Sequence, residues 1–435
     1  MSVERLLASV TSAHPQNPNH AILAGAFPVQ ASGHFKLRGG IRRTPMRAVK
    51  VFFSIVFLAI LASNVRLISQ WSESRGVYDD ICYLRQAHLF QRFGWHGLDT
   101  SLARETDGYL AAKLRSIDYP DWNDRTRAPC HTQTADGSKQ VMTPPPGTGF
   151  VLALFPEGFQ VVALYVVANA IIAGFALYGL WRAREKFALT LAGSFGALAI
   201  YFMINPTKAS YSMAPTMVVC ALVGLLTARL FVDEGRRRLL MVAAVGVLLG
   251  LSASFRIANV VLSAGYFLFF GLTFLIWRTR ETFAAGLTLG LAFLVGLLPV
   301  FAANLVNSGH PLVSAYGGQD TAAPSLDPAV LRAYLRDTQF PLVVIACVGT
   351  ALLWRFADHS GPRRLSLLVA GNLALNLAFF ATHPVFTQYY VIPILMLSLW
   401  TLLFAAALTC GPAKHLRAHE ADGPRAPEML SRISH

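Results

Sequence analysis

The chain has 435 residues, of which 54% are hydrophobic and only 14% charged, with a mean hydropathy of +0.47. A soluble domain carries about 25% charged residues, so the composition excludes an ordinary soluble fold and points to an all-α polytopic membrane protein. The formal net charge of +14 does not mark a nucleic-acid binder, because the basic residues fall in short segments between apolar runs, as in cytoplasmic loops.

Residues 1–46 show no amphipathic period and are rich in Pro, Ser, His and Gly. They read as a disordered cytoplasmic N-terminus, within which Met46 offers an alternative start. A basic block including Arg42, Arg43, Arg47 and Lys50 precedes the first apolar run, about 49–69. A bilayer core of ~30 Å takes ~20 residues to cross, and no small-x-small cleavage site follows. Residues 47–69 are therefore expected to be a retained first transmembrane helix.

A polar stretch from about 70 to 144 follows, and the whole of 70–157 reads as a first periplasmic loop. Its opening, "GVYDDICYLRQAHLF", carries adjacent Asp79 and Asp80. Tyr83, Ala87 and Phe90 recur at helical spacing behind them, so either aspartate suits a helix cap. The alternative is catalytic: a carboxylate at a membrane surface can take a proton from a substrate hydroxyl, and the neighbouring like charge raises one of the two pKa values. Further on, Glu105, Asp107, Asp118, Asp121 and Asp124 read as a solvated surface from which one could act as a second acid. "HTQTADGSKQVM" predicts a small hairpin turning at Asp136-Gly137. "TPPPGTGFVLALF", 143–155, predicts a half-buried segment that returns the chain to the membrane.

Cys82 and Cys130 share this loop, either as a disulfide or as two free thiols. Cys220 and Cys347 lie in apolar runs and Cys410 in the tail, with no CxxC spacing for a metal.

Nine further apolar runs lie within 158–408, at about 158–181, 187–204, 212–232, 239–255, 257–277, 283–303, 340–356, 365–381 and 389–408. About ten spans in all are expected. Arg182, Arg237, Arg278, Arg364 and their basic neighbours fall between alternate runs, which predicts an N-in/C-in topology with residues 409–435 as a cytoplasmic tail. Asn64, Asn169, Asn259, Asn372 and Asn376 are expected to bond neighbouring helices. In the late outer loop, 304–339, Asp327-Pro328 starts a short interfacial helix. Few basic residues fall on the outer side. Arg256, in "SASFRIANVV", and Lys208, in "INPTKASYSM", are candidates for an anionic head group, the bland reading being snorkelling.

Asp79-Asp80-x-x-Tyr83 with Ala87 and Gly94, "PPPGTGF" at 144–150, "NSGHPLVSAY" at 307–316 and "QYYVIPILML" at 388–397 follow in order along the chain. Together they resemble the C-type (GT-C fold) polytopic membrane glycosyltransferases, in particular the bacterial group similar to protein O-mannosyltransferases and lipid A sugar transferases. The resemblance spans about 70–430 as scattered short motifs. It implies a multi-pass enzyme of the bacterial inner membrane with its site facing the periplasm. Such an enzyme moves a hexose or pentose, with inversion, from a polyprenyl-phosphate donor to a glycan or lipid acceptor.

On the same resemblance, Asp79 and Asp80 are the catalytic acidic pair, and Arg256, Lys208 and His383 are candidates for the donor phosphate. Tyr83, Glu105, Asp107, His310, Tyr316, Gln388 and Tyr389 are substrate-binding candidates. Gln388 departs from the family's usual Arg. Some members use a divalent cation, Mg or Mn; the pair here is not a DxD, and the metal stays open. Membrane lipids are the remaining expected partner. A transporter or flippase of a lipid-linked glycan, or a non-catalytic membrane subunit, is the alternative reading.

Overall fold

The computed structural model describes residues 44–71, 80–124, 127–134, 136–203, 210–232, 237–315, 323–337, 339–357, 360–383, 386 and 389–409. Of the expected disordered N-terminus, residues 1–43 lie outside these, whereas Thr44, Pro45 and Met46 open the first helix; of the expected cytoplasmic tail, 410–435 lie outside and Thr409 ends the last helix. The structure is 78% helical. Among the described residues, seven helices are long and apolar enough to cross a membrane: α1 (Thr44–Ser69), α5 (Gln160–Arg182), α7 (Met213–Val232), α8 (Arg238–Phe255), α9 (Ala264–Trp277, extended by a 3-10 turn over Ile257–Ser263), α10 (Arg280–Ser308) and α13 (Ser360–Ala381). Two apolar helices are shorter, α6 (Lys186–Phe202) and α14 (Ile392–Thr409). The short α11 (Pro328–Arg336) and α12 (Gln339–Phe356) meet at a bend of 79°. Every apolar run read from the sequence is thus a helix.

Why these segments are helices follows from their composition and their ends. Each is apolar around most of its circumference, which suits a helix covered by lipid or protein. Thr279 caps α10 by accepting from Thr282 N (3.2 Å), and Gly309 closes that helix in the left-handed conformation, its N–H donating to Leu305 O (3.0 Å). Asp327 caps α11 through Ala329 N (2.7 Å), with Pro328 in the first turn.

Two packing devices hold the bundle. Where α8 crosses α10, Gly246, Gly250 and Gly296 bring backbone against backbone; a methyl at any of them would run into the facing chain. Buried asparagines then tie helices together as their sequence positions predict. Asn64 donates to Asn169 Oδ1 and to Ile200 O (both 2.9 Å), linking α1, α5 and α6. Asn259 donates to Thr216 Oγ1 (2.9 Å), and Asn372 joins α13 to Leu262 O (3.0 Å) and Gly265 N (2.9 Å).

The core centres on α14. Leu395, Met396, Leu399, Trp400, Phe404 and Ala405 are wholly buried. The helix packs chiefly along α7 and also against α5, α6, α12 and α13. By contrast α1 lies at the rim and exposes Phe52 (61%) and Ile55 (62%), as a lipid-facing helix would.

The polar segment between α1 and α5 folds as a small layer: α2 (Asp80–Phe93), α3 (Tyr109–Ser116), an antiparallel hairpin of β1 (His131–Gln133) and β2 (Gln140–Met142), and α4 (Gly147–Ala153). In the hairpin, Gly137 takes a positive φ of 70°. The Asp136 carboxylate beside it is held at about pKa 2 by hydrogen bonds from the Thr134 and Ser138 hydroxyls and the Ser138 N–H. A disulfide joins Cys82 to Cys130, with Cα atoms 6.6 Å apart.

Candidate functional site

The start of α2, the start of α7, the end of α8, the end of α13 and the approach to α14 meet at one end of the bundle. Asp80 opens α2 and is completely buried. Its Oδ1 accepts from Ser210 Oγ and from Tyr211 N, both at 3.0 Å. Those two residues belong to a turn closed by Met213 N donating to Ser210 O (2.9 Å), just as α7 begins. The same turn meets Arg256: its guanidinium Nη1 lies 3.4 Å from Met213 Sδ. The residues 210–213 therefore touch Asp80 on one side and Arg256 on the other.

Arg256 ends α8 in extended conformation. Its guanidinium carbon lies 4.5 Å from the ring centre of Tyr389 and 4.4 Å from that of Tyr390. It forms no ion pair with any carboxylate among the described residues. Two aromatic faces stabilise a cation without neutralising it, so this half-buried charge stays available to an anion. His383 packs edge-on to Tyr390 at 5.6 Å. Trp71, at the exit of α1, lies edge-on to Tyr211 at 5.5 Å, and its buried indole N–H has no acceptor among the described residues. The apolar runs flanking Arg256 signalled a specific partner in the sequence. Ser210, Tyr211 and Tyr390 carry no local signal of this kind, although "SYS" before α7 and the doubled "YY" before α14 meet at the same end of the bundle.

The proline segment explains how the polar layer docks here. Gly147 lies against the backbone of Ser254, and Gly149 against the side chain of Gln86; a Cβ at either would collide. Thr148 Oγ1 donates to Phe255 O (3.1 Å). The "PPPGTGF" motif thus wedges between α2 and the last turn of α8, immediately before Arg256. Its prolines stand ahead of α4 rather than inside it.

Two other acids of the layer, Glu105 and Asp107, are held by basic neighbours. Arg85 is fully buried and donates to Glu105 Oε2 (2.9 Å), Thr100 O (2.8 Å), Ser101 O (3.1 Å) and His131 Nε2 (3.2 Å). Glu105 Oε1 also accepts from Leu110 N (2.6 Å). Glu105, expected on a solvated surface, is instead the counter-ion of a buried arginine. Burial first, and the Arg85 charge second, push His131 down to about pKa 4, so its Nδ1–H donates to Pro129 O (2.8 Å) while Nε2 accepts from Arg85.

Asp107 pairs with Arg92 and with His88 Nε2 (2.8 Å), and His88 stacks on Tyr109 at 4.0 Å. Burial alone would raise the Asp107 carboxyl; its bonds to His88 and Tyr109 N, with the His88 and Arg92 charges, outweigh this and hold it below the usual range. Cys82, Cys130 and His131 cluster within 4.8 Å. The two sulfurs are bonded to each other, so this set does not fit a divalent cation.

Of the remaining sequence candidates, Tyr83 is buried in the core and His310 is exposed, its Nδ1 accepting from Leu312 N (3.2 Å). Asn307, one residue before the end of α10, ties that end to the layer. It accepts from Thr100 N and Oγ1 and donates to Leu98 O, all at 2.9 Å. Asp79, Lys208, Tyr316 and Gln388 lie outside the described residues. Asp80, Arg256, His383 and Tyr389 are brought to one end of the bundle; Glu105 and Asp107 belong to the separate charged layer. The chain matches no protein-family model, no curated protein and no solved structure.

Proposed function

We propose that the chain is a membrane glycosyltransferase that moves a sugar from a polyprenyl-phosphate donor to a glycan or lipid acceptor at the outer face of a bacterial inner membrane. The observation that carries this reading is Arg256: a cation without a carboxylate partner among the described residues, seated on Tyr389 and Tyr390, and reached from the Asp80 segment through the turn at Ser210–Met213. A phosphate held there would leave its lipid tail in the bilayer and present its sugar to the polar layer.

The charge pattern supports this sidedness. Basic residues at alternate helix ends support an N-in/C-in reading with about ten spans, on which the Arg256 end faces outward. The Cys82–Cys130 disulfide fits an oxidising compartment on that side. An apolar groove of about 430 Å³ between α12 and α13, lined by Trp354, Leu373 and Leu377 among others, offers room for part of an isoprenoid chain.

In this mechanism a carboxylate takes the proton of the acceptor hydroxyl. The acceptor oxygen attacks the anomeric carbon from the face opposite the phosphate, the carbon–oxygen bond to phosphate breaks, and the sugar inverts. Arg256 stabilises the charge on the departing polyprenyl phosphate. Asp79 is assigned the base. Asp80, whose Oδ1 is engaged by Ser210 and Tyr211, positions the segment that carries it. No step is assigned to a divalent cation, since the described acids Glu105 and Asp107 are engaged by Arg85, Arg92 and His88.

The full burial of Asp80 favours one competing reading, a non-catalytic subunit in which the pair only anchors α2. Sugar transfer from labelled polyprenyl-phosphate-sugar in membranes separates the two. Asp79→Asn is expected to lower the rate by roughly 10²–10⁴, and Arg256→Ala to raise the donor KM. Wild-type transfer by both variants would refute the catalytic assignment, and a wild-type chain inactive with every such donor would refute the function.

A further inference from the structure

At the opposite end of the bundle, four helix ends enclose a second cavity of about 200 Å³. Arg238 comes from the first turn of α8, and Ser360 and Arg364 from the first turns of α13. Phe231 from α7 and Phe269 and Trp277 from α9 line the same space. The start of α13 rests on the end of α7: Gly361 lies directly against Phe231 O, where a Cβ would clash. The Arg364 guanidinium carbon stands 5.0 Å from the Trp277 ring centre.

The chemistry of the lining is one-sided. Two arginines from different helices face it, no carboxylate is among its described residues, and neither arginine has an ion-pair partner among them. Below the arginines the walls are apolar and aromatic. On the outside of α9, Leu272 (48% exposed), Leu275 (60%) and Ile276 (69%) continue as a bare hydrocarbon-facing surface that ends at Trp277. Tryptophan at such a level marks the head-group boundary of a bilayer. A free anion would use the arginines and nothing else. A lipid would use the arginines for its head group and the apolar wall for the first carbons of its chains.

We infer that this cavity is a binding site for one anionic phospholipid, its phosphate taken by Arg238 and Arg364 and its acyl chains leaving along α9 past Trp277. Basic pockets between helix ends bind anionic head groups in this manner. The inference needs only the membrane-spanning bundle; the glycosyltransferase reading bears on it solely by placing this end on the cytoplasmic side. The site couples the entry of α8, whose far end presents Arg256, to the entry of α13, whose far end presents His383. An occupied site therefore clamps the two helices that carry the candidate phosphate-binding groups.

The test uses the full chain purified in detergent. Native mass spectrometry follows retention of dioleoylphosphatidylglycerol against dioleoylphosphatidylcholine, with inorganic phosphate as a separate titrant. One phosphatidylglycerol is expected to be retained in preference to phosphatidylcholine. Arg238→Gln with Arg364→Gln is expected to lose roughly 30-fold in that preference, or about 2 kcal/mol at 1.4 kcal/mol per tenfold. Arg355→Gln, a basic change at the same end but outside the cavity, leaves it unaltered. Thr273 of α9 also lines the cavity; Thr273→Trp fills it without removing a charge and should also displace the lipid, which keeps the proposal falsifiable if the double arginine variant does not fold. Equal retention of the two lipids, an equal loss on Arg355→Gln, or inorganic phosphate binding as tightly as the lipid would overturn the assignment. None of these readouts depends on sugar transfer.

Discussion

The carboxylate of Asp80 accepts a hydrogen bond from the backbone N–H of Tyr211 at 3.0 Å, across 131 residues of sequence. A second bond from Ser210 Oγ reaches the same oxygen. This buried contact fastens the first turn of α2 to the turn that leads into α7, and through Met213 it reaches Arg256. The contact can be tested as structure, apart from any catalysis. Asp80→Ala leaves the Ser210 and Tyr211 donors without their acceptor and should cost about 3 kcal/mol. Asp80→Asn retains an oxygen and should cost less. Thermal melting of the purified variants reads the difference; two variants melting like wild type would show that the contact contributes nothing.

His131 gives the layer a pH dependence. Its folded-state pKa, about 4, lies below the ordinary 6.5 because the ring is buried against Arg85. A depressed value means that the neutral ring is favoured by folding. The contribution is complete above about pH 6.5 and is lost as pH falls toward 4, up to about 3 kcal/mol. Hydrogen exchange of the β1–β2 hairpin should rise over that window in the wild type and much less in His131→Gln. An unchanged window in the variant would assign the titration elsewhere.

The Cys82–Cys130 disulfide closes a loop of 48 residues. Chain entropy assigns such a loop about 4 kcal/mol. Cys82→Ser with Cys130→Ser should therefore make 80–143 sensitive to limited proteolysis while the transmembrane helices stay protected. Alkylation with and without reductant checks the bond itself: protein from the oxidising compartment should take up label on both residues only after reduction.

Gly147 and Gly149 set how closely the layer approaches α8 and α2. Gly147→Ala places a methyl against the Ser254 backbone and should destabilise by ~1–3 kcal/mol. Because the clash sits two residues from Arg256, this variant should also weaken donor binding more than an equally destabilising change in α10. Equal effects from the two would separate the motif from the site.

Much of this architecture could be read from residue order. Apolar runs predicted each long helix, Asp327-Pro328 marked the start of α11, and Asp136-Gly137 marked the hairpin turn. What escaped was contact at long range. Nothing local in "SYS" announces that Asp80 will rest on it, and Glu105 resembled its solvated neighbours until Arg85, twenty residues away, proved to be wholly buried. The place of α14 was equally hidden. A helix that is apolar all round looks the same to sequence reasoning whether lipid or protein surrounds it. Arg256 was legible because a lone cation between apolar runs is rare; its two tyrosines were only half legible, since Tyr390 resembles any other aromatic beside a span.

The burial of α14 has a consequence for how the protein is made. This helix is synthesised after every other described helix, yet it fills the middle of the bundle, with Trp400 and Phe404 wholly enclosed. Until it leaves the ribosome, α5, α6, α7, α12 and α13 lack the partner they share, although α8 and α10 can already pack on each other. A ribosome stalled or a message cut short before Ile392 would leave a complete set of peripheral helices with nothing to close upon, a natural substrate for membrane quality-control proteases.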